Sequence, residues 1–162
     1  MSDIILFWGG ESVFSNFHPA VFYDSRGYRF TSSEQYYMFH KAKFHGCWRK
    51  AAQIKNIHSP WQIKQIGRTI PKTNEWYTVH AIPTMRNALL AKFSQNPHMM
   101  HVLLQTGNAT LAESSPYDDF WGIKLHANDA RSKDPQQWKG TNSLGYLLEE
   151  VREKINKHNF QF

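Results

Sequence analysis

Leu144, Leu147, Leu148, Val151 and Ile155 recur at i, i+3, i+4, i+7 and i+11 in the stretch TNSLGYLLEEVREKIN. That spacing places five apolar side chains on one face of an α-helix, and a stripe of this kind must be covered by the remainder of a core. Asn142 or Ser143 supplies the N-cap. The other strong patterns are also helical. TMRNALLAKFSQN reads as a helix up to Pro97, with Pro83 interrupting the chain ahead of it. Ser59-Pro60 opens a helix that Gly67 closes, and HMMHVLLQT is a short helix ended by Gly107.

Extended segments are few. IILFW, residues 4–8, reads as a buried strand stopped by Gly9-Gly10. FSNFHPAVFYDSRGYRF gives short strand pieces around a turn at Asp24-Ser25-Arg26-Gly27. NATLAESSP reads as strand and loop. Helices and strands do not alternate as βαβ units, so the expectation is an α+β fold, mostly helical with a few short strands. A chain of 162 residues suits one domain, with its core at about 4–156 and a loosely held tail in KHNFQF.

Charge narrows the class of partner. Nineteen basic against thirteen acidic residues leave a net charge of +6, which favours phosphate-bearing ligands. The basic residues form no block, which argues against a nucleic-acid-binding arm, and no aromatic strand of the RNA-recognition type is present. The lone Cys47 permits no intrachain disulfide and fits a reducing cytoplasm. The N-terminus lacks a basic segment ahead of its short apolar run, so neither a signal peptide nor a membrane span is expected. Nine histidines include His98 and His101 three apart, but no H-E-x-x-H or cysteine pair accompanies them, and no metal site is assigned.

Three stretches can carry chemistry. In TSSEQYYMFHKAKF, Glu34 and Lys41 are seven positions apart, so on a helix they share a face about 10 Å apart along the axis. That is too far for a salt bridge and suits a small substrate between them. Thr31 to Glu34 also matches the S/T-x-x-E capping box, which gives Glu34 an alternative duty at the helix start. ESSPYDDFWG, residues 113–122, is a polar loop closed by an aromatic, suited to a sugar or base, or simply a Ser-Pro turn. KGTNSLG, residues 139–145, places a helix N-terminus where an anion could bind, without P-loop spacing.

These stretches together resemble the NADAR (YbiA-like) family. FSNFHP is similar to its S-N-F-x-P segment, TSSEQYYMFHKA to its S-E-x-x-x-x-x-x-K helix, SPYDDFWG to S-P-x-D-x-x-W-G, and GTNSLGYLLEEVR to G-x-N-x-L-G-x-x-L-x-x-V-R. The four occur in the family's order over residues 14–152. The resemblance implies an α+β fold and an N-glycosidase that hydrolyses a ribose C1–N bond. The substrate would be ADP-ribosylated guanine in nucleic acid or a phosphorylated ribosylamino-pyrimidine of riboflavin biosynthesis.

By that resemblance Glu34 and Lys41 are catalytic: Glu34 stabilises an oxocarbenium-like state and Lys41 can attack C1. Asn16 and Asp118 would hold ribose hydroxyls or the base, and Trp121 would stack on a ring. Phe14, Ser15, Phe17, Ser115, Gly122 and Asn142 complete the expected substrate-binding set. The chemistry needs no metal or organic cofactor. The rival expectation is a non-catalytic module that binds ADP-ribose or nucleotides, which would need no acid–lysine pair.

Overall fold

The computed structural model describes residues 3–159; the last part of KHNFQF, 160–162, lies outside the described residues. The chain is α+β, with six helices and four short strands among the described residues. It divides into two compact units, one formed by the N-terminal residues up to Ser15 together with the residues from His98 onward, the other by Asn16–Pro97.

In the first unit, strand β1 (Ile4–Phe7) pairs in parallel with the strand Thr110–Glu113, with Ile4 opposite Thr110 and Phe7 opposite Glu113. β1 is only half-buried until Phe7, and Trp8 beyond it is exposed. The apolar run was expected to be fully buried; a strand in a two-stranded sheet keeps one edge open. The C-terminal helix, Ser143–Asn159, packs against the strand Thr110–Glu113. Its stripe of Leu144, Leu147, Leu148, Val151 and Ile155 is buried as the periodicity requires. The approach is so close that a Cβ at Gly145 would sit 1.9 Å from the Leu111 carbonyl oxygen, which is why no side chain can stand there. A further cluster joins Ala112, Ile123 and Leu125 to Ile4, Leu6 and Trp138. The helix Pro97–Gln105 ends before Gly107, whose φ of +60° makes glycine the natural stop.

The second unit begins with a small hairpin. Strand β2 (Phe22–Tyr23) pairs antiparallel with β3 (Arg29–Phe30) around the expected Asp24–Gly27 turn, and Phe22 stacks on Phe30. Helix α1 (Ser33–Phe44) follows and packs on α2 (Trp48–Lys55), α3 (Pro60–Gly67) and α4 (Ala81–Gln95). Ala42, Ala51, Ile54, Ile63 and Ile70 form the core between the first three. Ser59 caps α3 by accepting from the Gln62 N–H, with Pro60 at the first helical position. Pro83 does not interrupt the chain ahead of α4. It stands inside the first turn, and a wide π turn, Trp76–His80, runs directly into the helix before it. A proline ring cannot sit against a regular preceding α turn, and the wider turn relieves that conflict. No helix among the described residues is long and apolar enough to cross a membrane.

Lys92 lies fully buried on α4, its ammonium 5.0 Å from the Phe93 ring centroid. Burial lowers its pKa from 10.5 to about 7. The unfolded chain therefore binds more protons than the folded one between about pH 7 and pH 10, and this group's contribution to stability rises with pH across that window. Below pH 7 both states are protonated and the full cost of the buried charge is present. Replacing Lys92 by Met should flatten the rise in unfolding free energy between about pH 7 and 9.5 by on the order of 1–3 kcal/mol, measured by urea unfolding at both pH values.

Candidate active site

The start of α1 decides what Glu34 is free to do. Thr31 to Glu34 and Ser32 to Gln35 both spell a capping box, and the second is the one used. Ser32 is the N-cap and its hydroxyl accepts from the Gln35 N–H at 3.0 Å. The Gln35 side chain reaches back, its Oε1 accepting from the Thr31 N–H at 2.8 Å. Its Nε2 donates to the carbonyls of Ile54, Lys55 and Ile57 at 3.1, 3.3 and 2.9 Å, closing the C-terminal end of α2. Gln35 thus takes the capping duty that the Thr31 frame would have given to Glu34.

Glu34 is buried, and its backbone N–H donates to the Asn16 carbonyl at 3.1 Å. Asn16 is itself buried and its Oδ1 accepts from the Ser33 hydroxyl at 2.8 Å. Asn16 and Glu34 are therefore neighbours at one end of α1. Phe17, half-buried, lies under the Lys64 ammonium at 5.5 Å.

Two turns along, Lys41 is buried at 3% exposure. Its Nζ donates to the Tyr77 hydroxyl at 3.1 Å and lies 5.2 Å from that ring's centroid. Its pKa is lowered, chiefly by burial and next by the charge of Lys72, while the Glu34 carboxylate pulls it back up. Tyr77 is held by the segment around it. His45 Nδ1 donates to the Lys41 carbonyl at 2.8 Å, and its Nε2 is hydrogen-bonded to the Thr73 hydroxyl, also at 2.8 Å. Trp76 Nε1 donates to the Tyr37 hydroxyl at 2.8 Å. A carboxylate and an amine of depressed basicity thus share one face of a helix, which is the equipment for nucleophilic capture of an electrophilic carbon.

The other unit gathers a separate cluster around the loop Ser114–Gly122. Asp118 Oδ1 accepts from the N–H groups of Phe120 and Trp121 at 2.9 and 2.7 Å, and the Ser115 hydroxyl accepts from the Tyr117 N–H at 3.3 Å. Trp121 is buried, with its ring edge-on to Phe120. Gly122 packs so tightly that a Cβ would lie 2.8 Å from the Glu113 carbonyl, and its own carbonyl accepts from the Asn142 N–H. Asn142, at φ +51°, uses both ends of its amide on the strand Thr110–Glu113: Oδ1 accepts from the Glu113 N–H and Nδ2 donates to the Leu111 carbonyl. Phe14 and Ser15 are buried beside β1, Phe14 edge-on to Phe7 at 5.5 Å. The residues of this loop cluster are brought together, and much of their polar capacity serves the loop itself.

Sequence reading missed Gln35, Tyr77, Lys72 and Lys92. Gln35 was legible, since S-x-x-Q is as good a box as S/T-x-x-E. Tyr77 was not, because nothing local ties it to a lysine thirty-six positions earlier. Among the described residues no three of His, Cys, Asp or Glu cluster as metal ligands would.

The family model described as NADAR domain matches residues 6–156. The chain belongs to the NADAR family. It is 35% identical over 150 residues to N-glycosidase R617 of Acanthamoeba polyphaga mimivirus, covering 90% of this chain and 88% of that one. It is 34% identical to the riboflavin biosynthesis protein PYRR of Zea mays, over 91% of this chain but 24% of that protein. The NMR structure of Escherichia coli YbiA matches with a TM-score of 0.77 at 29% identity, over 99% of this chain and 89% of that one. YbiA is named an N-glycosidase.

Gln35 makes a direct prediction. Gln35→Ala removes the acceptor of the Thr31 N–H and the donor to the Lys55 and Ile57 carbonyls, while the Ile54 carbonyl keeps the Ile57 N–H, and should destabilise by about 2–4 kcal/mol. Gln35→Glu, which keeps the shape but sets a carboxylate against those carbonyls, should cost at least as much. Urea unfolding of the two variants checks both.

Proposed function

We propose that this protein is an N-glycosidase that hydrolyses a ribose C1–N bond in a phosphate-bearing substrate, with Glu34 and Lys41 as its catalytic residues. The observation that carries the reading is the buried pair on one face of α1, with Lys41 held at lowered basicity by its surroundings. The names of R617 and YbiA support the reaction class. The family match runs through both compact units, which supports treating residues 6–156 as one functional domain.

Breaking a ribose C1–N bond builds positive charge on C1 and the ring oxygen, as in other glycoside cleavages. The Glu34 carboxylate stabilises that charge. The neutral Lys41 amine forms a bond to C1 as the C1–N bond breaks, and the leaving nitrogen takes the electron pair and a proton. Loss of a proton from the lysine nitrogen and opening of the ring give an imine at C1. Water then adds to the imine, oriented by Glu34, and releases the sugar and the free amine. The net change is addition of one water across the C1–N bond. Tyr77, hydrogen-bonded to Nζ, fixes the amine and can pass its proton.

In the other unit, Asp118 and Trp121 are the candidates for sugar or base contact, with Ser115 and Asn142 shaping the loop. The net charge of +6 favours phosphorylated over free ribosides. The name of PYRR supports a substrate within riboflavin biosynthesis, for which the family resemblance implies a ribosylamino-pyrimidine phosphate. ADP-ribosylated guanine in nucleic acid is the other arm of the assay, and release of free base from either, followed by mass spectrometry, identifies the class.

Two variants test the residue roles on the substrate so found. Glu34→Gln should lower kcat by at least about 100-fold while unfolding at the same urea concentration, because Ser32 and Gln35 carry the cap. Lys41→Arg keeps the charge but cannot form the imine and should lose turnover. Borohydride during turnover should attach the sugar fragment to the peptide bearing Lys41. Normal turnover by Lys41→Arg, with no mass gain in the parent, would leave Glu34 and water as the whole machinery.

A further inference from the structure

The side of α1 turned away from Glu34 and Lys41 carries its own chemistry. At about 100° per residue, Tyr36, Phe39, His40 and Lys43 cluster around a direction nearly opposite that of Glu34 and Lys41. All four line a half-open pocket of about 580 Å³, whose other walls are the hairpin turn between β2 and β3 and Lys55 of α2. The volume is that of a small-ligand site.

The lining is unbalanced in charge. Arg26, Lys43 and Lys55 face one carboxylate, Asp24. Asp24 is occupied in shaping the turn: its Oδ1 accepts from the N–H groups of Arg26 and Tyr28 at 2.9 and 2.8 Å. Gly27, at φ +86°, completes that turn and sets Arg26 at the cavity. Neither Arg26 nor Lys43 has an ion-pair partner among the described residues; Lys43 only lies over the Phe39 ring at 5.3 Å. Lys55 lies over the Phe30 ring at 4.4 Å and donates to the Arg29 carbonyl, which leaves two of its protons uncommitted. Aromatic walls are supplied by Phe39 and the half-exposed Tyr28, with the buried Tyr36 behind them, packed on Phe30 and His40.

We propose that this cavity is a second ligand site, which binds a planar aromatic phosphomonoester of nucleotide size. The phosphate sits among Arg26, Lys43 and Lys55, and the ring packs on Phe39 and Tyr28. Three cations against one engaged carboxylate match a dianion. The aromatic walls match a flat ring, and the volume admits both parts together. The site lies wholly within the unit Asn16–Pro97 and uses neither Glu34 nor Lys41.

His40 reports on occupancy. Its ring lies 4.3 Å from that of Tyr36, tilted by 52°, and meets Phe39 edge-on, and its Nε2 has no hydrogen-bond partner among the described residues. Burial first, then the charges of Lys43 and Arg26, lower its pKa to about 4, with Asp24 acting the other way. A phosphate among those cations offsets their field, so binding should raise the pKa of His40.

The test is NMR titration of the full chain, labelled in its histidine rings, with adenosine 5′-monophosphate, adenosine and inorganic phosphate in turn. His40→Gln assigns the signal. Expected are saturable binding of the monophosphate, a rise of about one unit in the His40 pKa, and weaker binding of both fragments. Arg26→Ala with Lys43→Ala should weaken the monophosphate by about tenfold or more, and Glu34→Gln should leave it within about twofold. Three results overturn the site: no saturable shift, either fragment binding as tightly as the whole, or loss of binding in Glu34→Gln. Because the readout is binding in a chain that can be catalytically silent, failure here and failure of the N-glycosidase reading are separate outcomes.

Discussion

The organisation of the unit Asn16–Pro97 depends on one buried amide. Gln35 is 1% exposed, and its side chain joins the entry of α1 to the exit of α2 through one acceptor and one donor group. Helix ends leave backbone groups without intrahelical partners, and burying two such ends side by side would strand several of them. One glutamine meets both needs, donating to carbonyls at one end and accepting from an N–H at the other. A carboxylate at the same place could accept but not donate. The position next to it, Glu34, does not carry the capping-box duty that Gln35 takes.

α1 then works as a two-sided element. On one side lie Glu34 and Lys41, buried, with Tyr77 presented to the amine by the wide turn before α4. On the other lie Tyr36, Phe39, His40 and Lys43, facing a cavity whose far wall is the β2–β3 turn. Burial acts on both sides in the same sense, lowering the basicity of Lys41 and of His40. The neighbours differ. Each also has one carboxylate that acts the other way, Glu34 for Lys41 and Asp24 for His40, but one cation, Lys72, opposes the charge of Lys41 whereas two, Lys43 and Arg26, oppose that of His40. One helix can therefore hold a lysine of tuned basicity and, half a turn away, a pocket of excess positive potential.

In the other unit the constraint is closeness. Gly145 lets the C-terminal helix approach the strand Thr110–Glu113 to a distance that admits no Cβ, and Asn142 stitches the same two elements with its amide. The motif residues of the loop Ser114–Gly122 hold one another through backbone bonds, Asp118 above all. Part of what marks this stretch in the sequence is therefore the geometry of a tight loop.

The sequence by itself determined the features that depend on neighbours within a turn or two. The stripe from Leu144 to Ile155, the Ser59-Pro60 helix start, the Asp24–Gly27 turn and the shared face of Glu34 and Lys41 all follow from periodicity or from single-residue backbone preferences. The order of four short motifs also identified the family from the residues alone. Only the tertiary structure decided between two overlapping capping boxes one residue apart, because the deciding bonds run from Gln35 to α2 and not within α1. It alone paired β1 with the strand Thr110–Glu113, buried Lys41 against Tyr77, and brought Lys55 and the β2–β3 turn together around the other face of α1. Hydrogen bonds, burial and fields of this kind are set by which segments meet in space, and a local pattern of residue types carries no record of that choice.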